Sequence, residues 1–561
     1  LAVVVRATAL ALAAALLPAA TAAPDAALEI AVASALEKLR PAGELPAGSA
    51  IDLAAARGEC ESAQIAVRPA RPVAALSASA RALEGPSRIA PALYREATVE
   101  LSKPSGPEGA AGEWPDALVP ERDPFFGEPR RAFPVAAPAG RTTALWVELC
   151  VPDDAQPGLY RGQVRLTDGE RPIGAVPIAL RVWPFALPRT GRVVVTFGLP
   201  TRTGTRALGK PDDPVLARAL AAAALRHRVS PHGLSFDPPS GLCTAERCRL
   251  DWRAYDAEVA PVLDGTLVPG VRGLFADARI SARDWKSSDA DLAALFRAWR
   301  EHFEARGWAD RLWLYTLDEP KPSDLPELAR RARAAHAGGV RVFATTLPTP
   351  ALAGLVDAFA PVLNSFDGRT ADELTAVRPA RLGPSQGRPF WYTSCMSHGC
   401  SELSPGGAGR AEAARVFRGW PGYEVDRPGA SVRALGWLGW RHRVAGELYY
   451  TMLESWQRPD PWKDLRAFAG NGDGTLLYPG LPERLGGEHP FPVESIRLKL
   501  VRDAIEDREL LELAERNGLG ALAARLAQEV APSLRGFARD PRPWLDAHRR
   551  LGDALAAALA P

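Results

Sequence analysis

The chain has almost no net charge, +2 over 561 residues, and no block of consecutive basic residues. Holding a polyanion requires clustered Lys and Arg, so nucleic acid is excluded as the main partner. Long apolar runs are missing beyond the first two dozen residues. A bilayer needs about 20 apolar residues in a row, so no membrane span is expected in the mature chain. Residues 1–23 read as an export signal: Arg6, an apolar stretch from Ala7 to Leu17 too short to span, then the small residues Ala19-Ala20-Thr21-Ala22-Ala23 suited to cleavage. The expected location is periplasmic or secreted. Cysteine is sparse but even in number, with six residues. Cys243 and Cys248 form one close pair, Cys395 and Cys400 another, and Cys60 and Cys150 lie in strand-like stretches. An even count in an exported chain favours disulfides, of a connectivity that sequence leaves open. The competing arrangement is a metal site made by the two close pairs and His398, although the spacing is not that of a usual zinc motif.

What is present is enough chain for two or three domains. Residues 24–190 read as a β-sandwich: Ser62 to Val67 and Leu145 to Leu149 alternate, while Pro157-Gly158 and Asp168-Gly169 supply turns. Within this region Lys103 to Gly140 is rich in Pro and Gly and carries Trp114, Phe125 and Phe126. It reads as a long loop, either leaning over a functional site or plain surface.

Over residues 191–517 the texture changes to short apolar runs separated by helical patterns. The runs are Val193 to Phe197, Val229 to Phe236, Val271 to Phe275, Leu312 to Leu317, Val340 to Thr346, Val356 to Leu363, Pro389 to Thr393 and Gly446 to Met452. Ser288 and Asp291 open one intervening helix as a capping box, and Gly338-Gly339 stop the next. Eight alternations predict an α/β fold of the TIM-type (β/α)8 barrel, with a doubly wound sheet as the alternative. Val493 to Ala514 is the expected final barrel helix, and residues 518–561 form a helical tail broken near Pro532 and Pro541.

The fourth run, Leu312-Trp313-Leu314-Tyr315-Thr316-Leu317, stops abruptly at Asp318-Glu319-Pro320. Carboxylates at the C-terminal end of a buried barrel strand face the substrate, which makes Asp318 and Glu319 the catalytic candidates. Trp391 and Tyr392 end the seventh run; Tyr449, Tyr450, Glu454 and Trp456 lie on or just beyond the eighth. Aromatics there can wall a sugar subsite, because pyranose rings present apolar C–H faces. His227, Arg228 and His232, near the second run, are weaker candidates.

The adjacency of the two acids constrains the chemistry. A conventional retaining glycosidase sets its carboxyls about 5–5.5 Å apart on opposite sides of the glycosidic bond, which sequence neighbours do not easily flank. They suit substrate-assisted catalysis, in which the sugar's 2-acetamido oxygen attacks the anomeric carbon. Glu319 would protonate the leaving oxygen and then activate water, and Asp318 would orient the acetamido N–H. No cofactor and no metal is expected. A hydrolase using distant carboxylates would need a second acid, for which Asp367, Glu454 or Asp277 is available. A non-catalytic carbohydrate-binding envelope protein would keep only the aromatic walls.

Trp313 to Pro320, Phe390-Trp391-Tyr392-Thr393, Arg433-Ala434-Leu435-Gly436-Trp437 through Gly446 to Tyr450, and Gly472-Asp473-Gly474 to Tyr478-Pro479-Gly480 followed by Ser495 to Lys499 together resemble glycoside hydrolase family 123. Glu59 to Gln64, Trp114-Pro115-Asp116 and Pro157 to Gly162 resemble its N-terminal β-sandwich. The resemblance implies an exo-acting, retaining β-N-acetylgalactosaminidase whose substrate is a glycan or glycoconjugate, with Asp318 and Glu319 as its catalytic pair. It adds Arg433 to the substrate-binding candidates. The chain departs from the family in Tyr449-Tyr450, where a Tyr-Trp pair is frequent, and in the Cys395–Cys400 loop. N-acetylgalactosamine, N-acetylglucosamine and other 2-acetamido sugars therefore stay open.

Overall fold

The computed structural model describes residues 28–234, 237–367, 389–395, 400 and 418–560. The expected export signal and His398 lie outside them. The alternating runs of the first part build two facing sheets. One orders its strands Leu28–Ser34, Cys60–Pro69, Thr143–Cys150, Ala92–Leu101 and Gly112–Pro120. The other follows Ile51–Arg57, Arg171–Ala186, Gly158–Asp168, Val73–Ala80 and Val135–Ala137, with two short strands at its side. Every second residue points inward, so Ile65, Val67, Leu145 and Val147 of one sheet meet Val164, Leu166, Ile178 and Leu180 of the other. Gly169, at a φ of 59°, makes the hairpin turn.

The Pro- and Gly-rich stretch is a loop over most of its length, but Gly112–Pro120 and Val135–Ala137 within it are strands. Gly112–Pro120 is a strand antiparallel to Ala92–Leu101, and its Asp116 is fully buried against Arg497. The stretch docks on the second part of the chain near Asp426 and Asn471 through Ser105 and Lys103.

In the second part eight short strands run parallel: β1 (Val194–Gly198), β2 (Ser230–His232), β3 (Ala276–Asp277), β4 (Leu312–Tyr315), β5 (Arg341–Ala344), β6 (Ala358–Phe359), β7 (Trp391–Tyr392) and β8 (Gly446–Tyr449). They form two four-stranded sheets, β2-β1-β8-β7 and β3-β4-β5-β6. A parallel bridge between Val362 and Tyr392 joins the β6 edge to β7. First strand pairs with last, the neighbour relation a barrel requires. A closed ring is not shown, because among the described residues β2 and β3 share no main-chain ladder; Leu274 N–H reaches Ser230 Oγ instead, at 2.7 Å. Pro231 in the middle of β2 has no N–H to give. The strand expected at Val271 to Phe275 begins only at Ala276.

The helices follow their sequence signals. α1 spans Pro214–Arg226, α2 Asp289–Ala305, α3 Leu325–Ala337, α4 Ala430–Arg441, α5 Ile496–Arg516, α6 Gly520–Val530 and α7 Arg542–Ala558. Ser288 Oγ accepts the Asp291 N–H and caps α2. α4 lies against α5 so closely that a Cβ at Gly436 would sit 1.9 Å from the Ala504 carbonyl oxygen, which requires glycine there. α5 is wedged beneath the sandwich, and its charged residues are buried in ion pairs: Arg497 with Asp116, Lys499 with Glu148 and Glu494, and Arg502 with Glu148 and Asp503. None of the described helices is long and apolar enough to cross a membrane.

Candidate active site

β4 is buried over Leu312, Trp313 and Leu314, and the chain then breaks out of the sheet. Leu317 and Glu319 adopt positive φ, 47° and 45°, on either side of Asp318. A side chain in the left-handed region costs about 1–3 kcal/mol, and such strain collects at functional sites. Glu319 also precedes Pro320, a position that favours extended backbone. The outcome is two adjacent carboxylates exposed at the C-terminal end of a buried strand.

Hydroxyl groups fix both acids. Tyr315 and Thr345 donate to Asp318 Oδ1 at 2.9 and 2.8 Å. Thr345, just past the end of β5, also accepts the Glu319 N–H at 2.9 Å, so one hydroxyl sets the position of both residues. Tyr392 at the end of β7 donates to Glu319 Oε1 at 2.6 Å. Asp318 Oδ2 has no partner among the described residues.

Support comes from the neighbouring strand ends. Asp277 on β3 accepts the Tyr315 N–H at 3.1 Å, and burial pushes its carboxyl up to about 6. His232 on β2 places Nδ1 3.0 Å from Thr196 Oγ1 and stands edge-on to Tyr315, with centroids 5.9 Å apart. Burial pulls it down to about 4, so it is neutral at pH 7. Side chains from β2, β3, β4 and β7, with Thr345 beyond β5, therefore converge on one end of the sheets.

The remaining candidates separate by burial. Trp391 is about 1% exposed and points its indole N–H at Glu447, 3.4 Å away; Trp456 gives its N–H to the Leu477 carbonyl at 2.7 Å. Tyr449 is fully buried and donates to Asp473 Oδ1 at 2.9 Å. Arg433 is buried with Asp507 and Glu61 beneath the sandwich. These four are buried in the interior, whereas a sugar-binding wall needs an exposed face. Tyr450 and Glu454 stay partly exposed beyond β8. Tyr450 donates to Asp473 Oδ2 at 3.2 Å, and burial together with Glu424 pushes that acid up to about 7. Of the weaker candidates, Arg228 pairs with Glu506, and His227 is buried 4.0 Å from Glu494.

Thr345 and Phe468 went unnoticed in the sequence. Phe468 is 45% exposed, takes a φ of 46° and stands edge-on to Tyr450, with centroids 5.9 Å apart. Thr345 lay inside the fifth apolar run, where only the partner strand reveals its role.

All six cysteines form disulfides: Cys60–Cys150 across paired strands, Cys243–Cys248 closing a hairpin, and Cys395–Cys400 just after β7. The thiolates that a zinc site from the two close pairs would need are consumed. Three disulfides are compatible with an exported protein.

Neither a family model nor a curated protein sequence matches the chain. Among solved structures, the fold is similar to that of a family 123 glycoside hydrolase from Clostridium perfringens, with a TM-score of 0.64 and 12% identity over 95% of this chain and 97% of that one. That protein is described as hydrolysing glycolipid glycans. A family 5 xyloglucanase from Bacteroides ovatus (TM-score 0.27, 8% identity, 85% of this chain and 100% of that one) and a family 39 glycoside hydrolase from Bacteroides cellulosilyticus WH2 (0.31, 9%, 84% and 82%) align too loosely to bear on the fold.

Proposed function

We propose that the protein is an exported glycoside hydrolase that removes terminal β-linked 2-acetamido sugars of the N-acetylgalactosamine type with retention of configuration, the sugar's own acetamido group serving as nucleophile. In this reading residues 24–190 are the sandwich, 191–517 a closed (β/α)8 barrel and 518–561 a helical tail. The observation that carries it is the acid pair itself: adjacent, exposed, set by positive φ on both sides of Asp318, and anchored on hydroxyls. The likeness in fold to a family 123 enzyme supports it.

Asp318, held through Oδ1, offers Oδ2 to the acetamido N–H and aims the acetamido oxygen at C1. Glu319 donates a proton to the glycosidic oxygen as the C1–O bond breaks and the acetamido oxygen closes onto C1. The resulting oxazolinium-like ion carries positive charge that Asp318 stabilises. Glu319, now a carboxylate, takes a proton from water, which attacks C1 and restores the acetamido group; two inversions give net retention. Among acids at other strand ends, Glu454 is partly exposed beyond β8 and is the candidate second acid for a mechanism with distant carboxylates. Asp277 is half-buried and accepts the Tyr315 N–H, and the half-exposed Asp367 lies 4.0 Å from Arg535.

The test is hydrolysis of aryl 2-acetamido-2-deoxy-β-glycosides beside the matching 2-hydroxy glycosides, with glycolipid glycans included. Turnover confined to acetamido sugars and lost in Glu319→Gln is expected. Equal cleavage of 2-hydroxy sugars would overturn the mechanism, and silence across the panel would favour a carbohydrate-binding role.

A further inference from the structure

Between the sandwich and the tail lies a cluster that the proposed reaction does not use. Glu59, Glu61 and His548 on α7 are 1%, 3% and 4% exposed and turn one donor atom each toward a common point. His548 Nε2 is 3.6 Å from Glu59 Oε1, 3.5 Å from Glu61 Oε1 and 3.2 Å from the Ala54 carbonyl oxygen. We propose that these three side chains and the Ala54 carbonyl bind one divalent first-row cation of the zinc class, which fastens the C-terminal helix to the sandwich.

Three observations support it. The first is spacing. Ligands about 2.0–2.2 Å from a tetrahedral ion stand about 3.3–3.6 Å from one another, and the three separations measured from Nε2 fall in or next to that range. The donor count excludes calcium, which takes about 6–8 oxygens at longer distances. The second is orientation. Glu59 Oε2 accepts the Ala56 N–H at 2.6 Å, leaving Oε1 turned into the cluster with no hydrogen-bond donor among the described residues. His548 Nδ1 lies 2.9 Å from Asp507 Oδ1 and 3.4 Å from Arg433 Nη2. Arg433 can only donate, so the shorter contact to the carboxylate places the proton on Nδ1 and leaves Nε2 as the ligand atom. A carboxylate behind a ligating histidine is the usual second support of a metal site.

The third is charge. Glu59, Glu61 and Asp507 bring three negative charges, and Arg433, paired with Glu61 and Asp507, brings one positive. Nearby, Asp503 and Glu506 are matched by Arg502 and Arg228. A buried excess of two negative charges is costly, and a divalent ion cancels it. Two protons would cancel it as well. Burial, opposed by His548, pushes Glu59 up to about 8, while Glu59 and Glu61 outweigh burial to raise His548 to about 9. The experiment must therefore separate metal from protons.

The full-length, untagged protein is loaded with zinc chloride, dialysed and assayed for metal by mass spectrometry, with His489→Ala as background to remove the exposed Glu128, Glu488 and His489 cluster. All cysteines are oxidised, so no thiolate competes. The expected result is one retained zinc per chain, a thermal midpoint lowered by about 3 °C or more on chelation, and four-coordinate visible bands after cobalt substitution. Glu59→Gln and His548→Gln each cut retention at least tenfold; the former serves if the latter fails to fold. Less than a tenth of an equivalent in the parent protein would overturn the proposal, as would full retention in Glu59→Gln. A midpoint that responds to pH and not to chelator would assign the cluster to protons instead.

Discussion

Two groups of carboxylates among the described residues are held in different ways. At the end of β4, Asp318 and Glu319 are exposed and fixed by the hydroxyls of Tyr315, Thr345 and Tyr392. Around α5, Asp116, Glu148 and Asp507 are buried and matched to Arg and Lys, which hold their carboxyls below the usual range. A cation partner holds an acid in its ionised form, whereas a hydroxyl fixes the direction of the carboxylate oxygen it donates to. The difference separates acids that hold the two parts of the chain together from the pair to which the proposed reaction is assigned.

That contrast can be broken from either side. Glu319→Gln should lower kcat by about a thousandfold or more on an aryl acetamido glycoside while leaving the thermal midpoint near that of the wild type; retained turnover would remove the active-site reading. Asp116→Ala leaves Arg497 buried without its partner, and chemical denaturation should record a loss of about 3–5 kcal/mol with kcat of the folded fraction unchanged. Thr345→Val deletes the hydroxyl shared by both acids. Steady-state kinetics should show kcat down by about 10–100-fold with a smaller change in KM, and an equal fall in stability alone would make Thr345 merely structural.

Asp277 gives the smallest and most diagnostic effect. Its folded carboxyl is raised to about 6 against an ordinary 3.8, so the folded state holds an extra proton between those values. Stability therefore falls as pH rises through that window. Asp277→Asn should flatten this slope in thermal midpoints measured across it, with kcat within about threefold of wild type; a larger kinetic loss would move Asp277 into the reaction.

Much of the fold was legible because periodicity is local. The alternating strands of the sandwich, the capping box of α2, the turn at Asp168-Gly169 and the eight apolar runs report on neighbours a few residues apart. The Pro- and Gly-rich stretch misled over Gly112–Pro120, since an edge strand accepts such residues once Ala92–Leu101 offers it a partner. The acid pair stood out because two charges ended a buried run. The aromatic candidates could not be sorted, because Trp391 and Tyr392 are adjacent residues of one strand and face opposite sides, one into the interior and one onto Glu319.

By itself the sequence determined the strand and helix pattern, the supply of cysteines, and the position of Asp318 and Glu319 at a strand end, since each follows from the order of apolar and polar groups along the chain. Only the tertiary structure decided that Thr345 serves both acids, that Arg433 faces Asp507 and not a sugar, and that Glu59, Glu61 and His548 meet. His548 lies 487 residues from Glu61 in the chain, and such contacts depend on how whole elements pack rather than on any local preference.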